Sequence, residues 1–413
     1  MMIAATAGPM VGLADWPIRP PRLGGHAVMS EVTLSAAIRK NLLSLQQTAD
    51  LMSTTQTRLA TGKKVNSALD NPTAYFTAQS LDGRSSQLAT ILDSVGQAVQ
   101  TIQAANNGMT AIEKLIEAAK AKANQAQITS NTFLRASALK EYNELLVQIT
   151  AIAKDSGYNG KNLIGGLNKD LNVIFNEDSS NHLLIKSVDI VDTDTGLGLP
   201  SQTEAVLGTL NVSLAAPGPT PLMLGDLLID DTTNFDNTGD TLTFTDSSST
   251  VIGSIDVTPT MTVADLIVAI NSNFTNVRAS FSAGTLKIET TEDIDIAGGK
   301  ALGALAAASI TATSSAWQTD SSIAATLNSL NGALDRLHSY ASGFSNSLTI
   351  LQDRQAFTKQ LINTLTEGSD ALTLADTNEE GANLLALQTR QQLSTTALSL
   401  ANQAQQGVLR LFQ

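Results

Sequence analysis

The sequence predicts a mainly α fold with a β insert: a long antiparallel coiled-coil helical rod formed by both chain ends, a β-hairpin region, and an inserted α+β outer domain. Three observations carry that reading. Apolar residues recur at heptad spacing near both ends of the 413-residue chain. Aromatic residues make up only 4% against a hydrophobic content of 42%, which favours long, thin helical layers over a large globule filled by bulky rings. Charge is uneven: residues 168–300 hold 19 Asp and Glu against 5 Lys and Arg, a net −14 where the whole chain carries −13, so the rest sums to +1. Such an acidic middle stays solvated and repels nucleic acid, whereas weakly charged ends suit packing against other protein.

The first 28 residues, "MMIAATAGPMVGLADWPIRPPRLGGHAV", carry Pro and Gly clusters and none of the later periodicity. No positively charged region precedes their apolar stretch, so they do not read as a secretory signal. With a second start at Met29-Ser30, they are expected to be a disordered leader or a mis-assigned start. Helix begins after Glu31, where Ile38, Leu45, Met52 and Leu59 recur at strict sevens and Leu34 and Leu42 fill the same face. "TGKKVNSALDNPTAYF", Thr61 to Phe76, interrupts it with a helix-stopping Gly62 and an Asn71-Pro72 step, since proline fits a first helical turn but not an interior.

The stripe resumes from Leu81 through Val95 and Ile102 to Ile116, and a shorter one runs from Leu139 to Ile149. "SGYNGKNLIGG" then supplies Asn159-Gly160, the dipeptide that accepts two positive φ angles in a tight hairpin, ahead of strand-like "LNVIFN" and "HLLIKSVDI". Between about Ser201 and Trp317 the pattern changes to short alternating runs such as "TLTFTD", "VIGSIDV" and "TLKIET". One helix interrupts them in "TVADLIVAINSNF", opened by the capping pair Thr262 and Asp265. Ile323 to Leu365 marks a return helix of roughly forty residues, about 60 Å long. The last stripe, Leu393, Ala397, Leu400, Ala404, Gly407 and Leu411, alternates steps of four and three, and its small residues allow another backbone to come close.

Little in the chain points to catalysis. There is no cysteine, and the three histidines, His26, His182 and His338, adjoin no nucleophile. No Gly-rich phosphate loop is present, and no apolar run reaches the eighteen residues of a membrane span. "DDTTNFDNTGD", Asp230 to Asp240, has aspartates spaced as in a calcium loop but lacks the closing glutamate. No enzyme activity, cofactor, metal or membrane insertion is expected.

Three motifs in order resemble the bacterial flagellins: "RLATGKKVNSALDNPTAYF" their N-terminal signature, "GYNGKNLIGG" the hairpin turn after their first helices, and "ANQAQQGVLRLF" their C-terminus. The likeness covers about residues 30–167 and 318–413. "TVADLIVAINSNFTNVRASFSAGTLKIET" also resembles the hook IN module found in the middle of some flagellins. The arginine-rich stretch by which a vertebrate innate receptor detects some flagellins is replaced here by "EKLIEAAKAKANQAQ", Glu113 to Gln127.

The resemblance implies a homopolymeric helical filament for motility, extracellular and exported unfolded by the flagellar type III apparatus without a cleavable signal. It further implies an export chaperone and the filament cap and junction proteins as partners. On that basis residues 29–71 are the N-terminal polymerisation helix and 72–200 an inner helical core with its β-hairpin. Residues 201–317 become the variable outer domain, 318–375 the inner-core return helix and 376–413 the C-terminal polymerisation helix. Leu34, Ile38, Leu45, Met52 and Leu59, with Leu393, Ala397, Leu400, Ala404, Gly407 and Leu411, form the polymerisation seam. The alternatives are a hook–filament junction protein with the same terminal helices, or a flagellin-like surface adhesin.

Overall fold

The computed structural model describes residues 36–216, 220–231, 235, 240–298 and 307–411. The leader, Leu34 and most of the Asp230–Asp240 loop lie outside them. The described residues fall into two compact units, one of residues 36–75 and 372–411 and one of residues 76–371.

In the first unit, helix α1 (Ala36–Thr61) packs against α6 (Thr377–Leu411). α1 stops at Gly62, whose φ of 69° lies where a side chain is disfavoured. α6 starts on a cap, the Asp376 carboxylate accepting the backbone N–H of Asn378 and Glu379. The two connecting segments are laced together: Lys64 N–H donates to the Thr373 carbonyl at 2.7 Å and Ala375 N–H to the Gly62 carbonyl at 2.9 Å. Beside them, Asp70 accepts the N–H groups of Asn66 and Ser67 at 3.0 and 2.9 Å. The Ser67 N–H, then that of Asn66, hold its carboxyl below the usual range.

The second unit contains two very long helices, α2 (Pro72–Ile128, 57 residues) and α5 (Asp320–Thr373, 54 residues), whose bounds pass slightly beyond the unit. α2 begins on Pro72, and the Asn71 side chain caps it by accepting the Ala74 N–H. The return helix is longer than the expected forty residues because polar stretches such as Asp320 to Ser322 and Thr366 to Asp370 continue it beyond the apolar stripe. The pairs Lys120–Asn331, Glu113–His338 and Ser85–Thr366 set α2 and α5 antiparallel. Helix α3 (Thr132–Asp155), capped by Asn131, completes the layer.

Alanines at 98, 105, 119, 123 and 126 lie in this core, which explains how helices with so few rings pack closely. Its main aromatic contact is Tyr142 against Trp317, centroids 5.2 Å apart. Strands β1 (Leu171–Ile174) and β2 (His182–Ile185) pair antiparallel behind the turn at Tyr158–Lys161. In that turn Asn159 and Gly160 have φ of 48° and 77°, as the dipeptide predicts.

The insert has its own core. Strands β3 (Gly208–Ser213), β7 (Thr285–Thr290) and β6 (Val277–Ser282) form one antiparallel sheet. β5 (Val251–Val257), β4 (Asp240–Asp246), β8 (Ile294–Ala297) and β9 (Ala307–Ile310) form the other. Helix α4 (Val263–Asn273), opened by the expected capping box, buries Leu266 and Ile270 against them, and Phe244 meets Phe274 at 4.5 Å.

The insert enters and leaves the helical layer as a ladder, Val206 and Thr313 exchanging hydrogen bonds of 3.0 and 2.9 Å. Its base is fixed to the α2–α3 turn. Thr132 donates to the Thr275 carbonyl and meets the Thr291 hydroxyl at 2.6 Å, and Arg278 stacks on Phe133. Buried Arg135 donates to the carbonyls of Thr129 and Gln318 and pairs with Asp320.

Candidate functional site

The terminal helices carry two kinds of apolar face. On α1 the turned-in stripe contains Ile38, only 3% exposed, with Leu45 and Met52 half-buried, while Leu59 and Leu42 are exposed. Interleaved with them are Asn41, Thr48 and Thr55, and both threonines are buried. The heptad reading passes over these because their side chains are polar. Thr48 fits because its hydroxyl donates to the Ser44 carbonyl at 2.8 Å, leaving the methyl group to pack.

On α6 the less exposed positions are Glu380, Leu384, Leu387, Gln391, Ser394, Leu398 and Ala401, again in steps of four and three. Glu380 is ion-paired at 3.0 Å to Arg58 of α1, so this is the stripe turned to α1. The C-terminal stripe read from the sequence sits one residue earlier at each step, about 100° around the helix. Leu393 and Leu400 are 67% and 61% exposed, and Ala397, Ala404 and Gly407 are exposed as well. A Cβ built on Gly407 meets nothing within 4 Å. The side chain of Leu411 lies outside the described residues.

The seam residues thus divide: Ile38, Leu45 and Met52 belong to the α1–α6 contact, and the α6 set faces away from it. Further large apolar side chains are exposed beside both, Leu43 and Leu51 on α1 and Leu385 on α6. Both helices of the first unit thus expose several large apolar side chains. Among the described residues no group of His, Asp and Glu is placed to hold a metal ion, and no helix is long and apolar enough to cross a membrane.

Two families match this chain by sequence, the bacterial flagellin N-terminal helical region over residues 33–169 and the bacterial flagellin C-terminal helical region over residues 327–412. Flagellin A of Rhizobium meliloti is 26% identical over 420 aligned residues, 93% of this chain and 100% of that one. Flagellin D of Rhizobium meliloti strain 1021 is 27% identical with the same coverage. Among solved structures, FlgL of Xanthomonas campestris aligns over 68% of this chain and 98% of its own at 12% identity, and its TM-score of 0.25 carries no weight for the fold.

Proposed function

The chain belongs to the bacterial flagellins and is a structural subunit of the flagellar filament, and from that premise we propose that it polymerises through the exposed faces of α1 and α6. The observation supporting this surface is the bare α6 stripe of Leu393, Ala397, Leu400, Ala404 and Gly407, lying off the contact with α1. A polymer needs surfaces that meet a different patch on the next copy. Full burial of one leucine contributes about 1.5–3 kcal/mol, so two or three per subunit favour assembly strongly. The small residues between them let a neighbouring backbone approach.

In this reading residues 29–71 and 376–413 are the polymerisation helices and 72–200 with 318–375 the inner core. The acidic insert faces outward, where its charge is solvated. The protein acts as a scaffold and not a catalyst. It is extracellular, leaves the cell unfolded through the flagellar export apparatus, and meets an export chaperone and the cap and junction proteins on its way.

The substitution Gly407→Leu tests the surface alone, and truncation after Thr389 removes it together with the α1-facing Gln391, Ser394, Leu398 and Ala401. Gly407 has open space in the single chain, so its substitution should leave the thermal transition unchanged or slightly raised through helix propensity, while overpacking the assembled contact by about 1–3 kcal/mol. Both variants should raise the critical concentration in seeded light scattering. Polymerisation indistinguishable from the parent would show that the stripe is not an assembly surface.

A further inference from the structure

The sequence holds three Asn-Gly steps, Asn107-Gly108, Asn159-Gly160 and Asn331-Gly332. All three asparagines are exposed, so access to water does not tell them apart. Their backbones do. Asn107 lies within α2 and Asn331 within α5, where the following amide is locked in the helical ladder, and the Asn331 carboxamide also accepts from Lys120 at 2.7 Å. Gly108 is further wedged against Ser156 and Ile164.

Asn159-Gly160 occupies a two-residue turn instead, closed by the Tyr158 N–H donating to the Lys161 carbonyl at 2.8 Å and the Lys161 N–H donating to the Tyr158 carbonyl at 2.9 Å. Among the described residues nothing lies within 4 Å of a Cβ built on Gly160, and the Asn159 amide makes a single long contact, 3.3 Å to Gln97. Opening such a turn disturbs two hydrogen bonds at the surface, whereas freeing a mid-helix amide means unfolding several turns of α2 or α5.

We propose that Asn159 is a self-modification site at which the asparagine converts to aspartate and isoaspartate in the native protein. The deprotonated backbone nitrogen of Gly160 attacks Cγ of Asn159, a C–N bond forms, the C–NH2 bond breaks and ammonia leaves. Water then opens the resulting succinimide at either carbonyl, so the net change is one water consumed and one ammonia released, with no oxidant or reductant. Glycine suits the step because no side chain obstructs the attacking nitrogen. The product adds a negative charge, and in the isoaspartate form a main-chain methylene, to a turn whose two positive φ angles fix its register. That turn lines a groove of about 450 Å³ with Ile91, Gln97, Lys161 and Val173, so modification loosens one wall of it.

The full chain is incubated at mildly alkaline pH, natively and in denaturant, and the three peptides are followed by mass spectrometry with isoaspartyl methyltransferase labelling. Native protein should convert at Asn159 at least roughly tenfold faster than at Asn107 or Asn331, the ratio reflecting the cost of local opening. In denaturant the three rates should converge. No native conversion at Asn159, equal native rates, or a gap that persists in denaturant would each overturn the proposal. Asn159→Gln, which disfavours the five-membered ring, should abolish the labelling at that peptide.

Discussion

Tyr142 is fully buried against Trp317, yet its hydroxyl finds no hydrogen-bond partner among the described residues. Burial pushes its pKa up to about 12, because the phenolate would be charged in an apolar core. The folded state therefore holds the proton more tightly than the unfolded chain, whose tyrosine titrates near 10. The stability this contributes is complete below about pH 10 and is lost as pH rises towards 12. Tyr142→Phe removes an unsatisfied polar atom at nearly constant shape, so it should leave stability unchanged or slightly raised at pH 8. It should also shrink the loss between pH 10 and 12. Denaturant midpoints by circular dichroism at pH 8, 10 and 12 measure this, and a loss above about 1 kcal/mol at pH 8 would reveal a satisfied hydroxyl.

Helices of more than fifty residues are continuous here although they contain glycines, and those glycines have opposite reasons for being there. A Cβ on Gly108 of α2 would come within 2.0 Å of the Ser156 hydroxyl and 3.0 Å of Ile164, so α2 needs glycine to let the end of α3 and the following turn close on it. Gly108→Ala should cost about 1–3 kcal/mol through overpacking. Gly332 of α5 has nothing within 4 Å, and Gly332→Ala should gain about 0.5–1 kcal/mol from helix propensity alone. Thermal midpoints of the two variants should therefore move in opposite directions, and a shared direction would contradict the packing described. Both steps look alike in sequence, an Asn-Gly within an apolar period. Only the neighbour across the helix separates them.

For the molecule as a whole, the insert connects to the helical layer through the Val206–Thr313 ladder. Composition places the edge of the middle at Trp317, but Trp317 packs in the helical core, its indole N–H donating to Thr326 at 3.0 Å. A deletion should accordingly remove residues 207–312 and join Val206 to Thr313 by a two-residue Asn-Gly turn, the loop that fits an antiparallel pair. This variant should keep its helical circular dichroism and still extend seeds in light scattering. A protein that folds but never polymerises would place the insert at the assembly surface.

The sequence alone determined the helices, the break at Gly62 to Pro72, the hairpin dipeptide, the capped α4 and the family, because periodicity, turn chemistry and caps are local and written in neighbouring residues. It could not reveal which side of α6 meets α1. Two stripes one residue apart both repeat in steps of four and three, and the one that pairs includes Glu380, Gln391 and Ser394, polar residues no apolar count would choose. Thr48 and Thr55 on α1 were hidden for the same reason. Burial depends on what lies across the interface, and it rests at Thr48 on a back-bonded hydroxyl and at Glu380 on the Arg58 ion pair. Arg58 and Glu380 stand more than 300 positions apart in the chain, and only the tertiary structure brings them together.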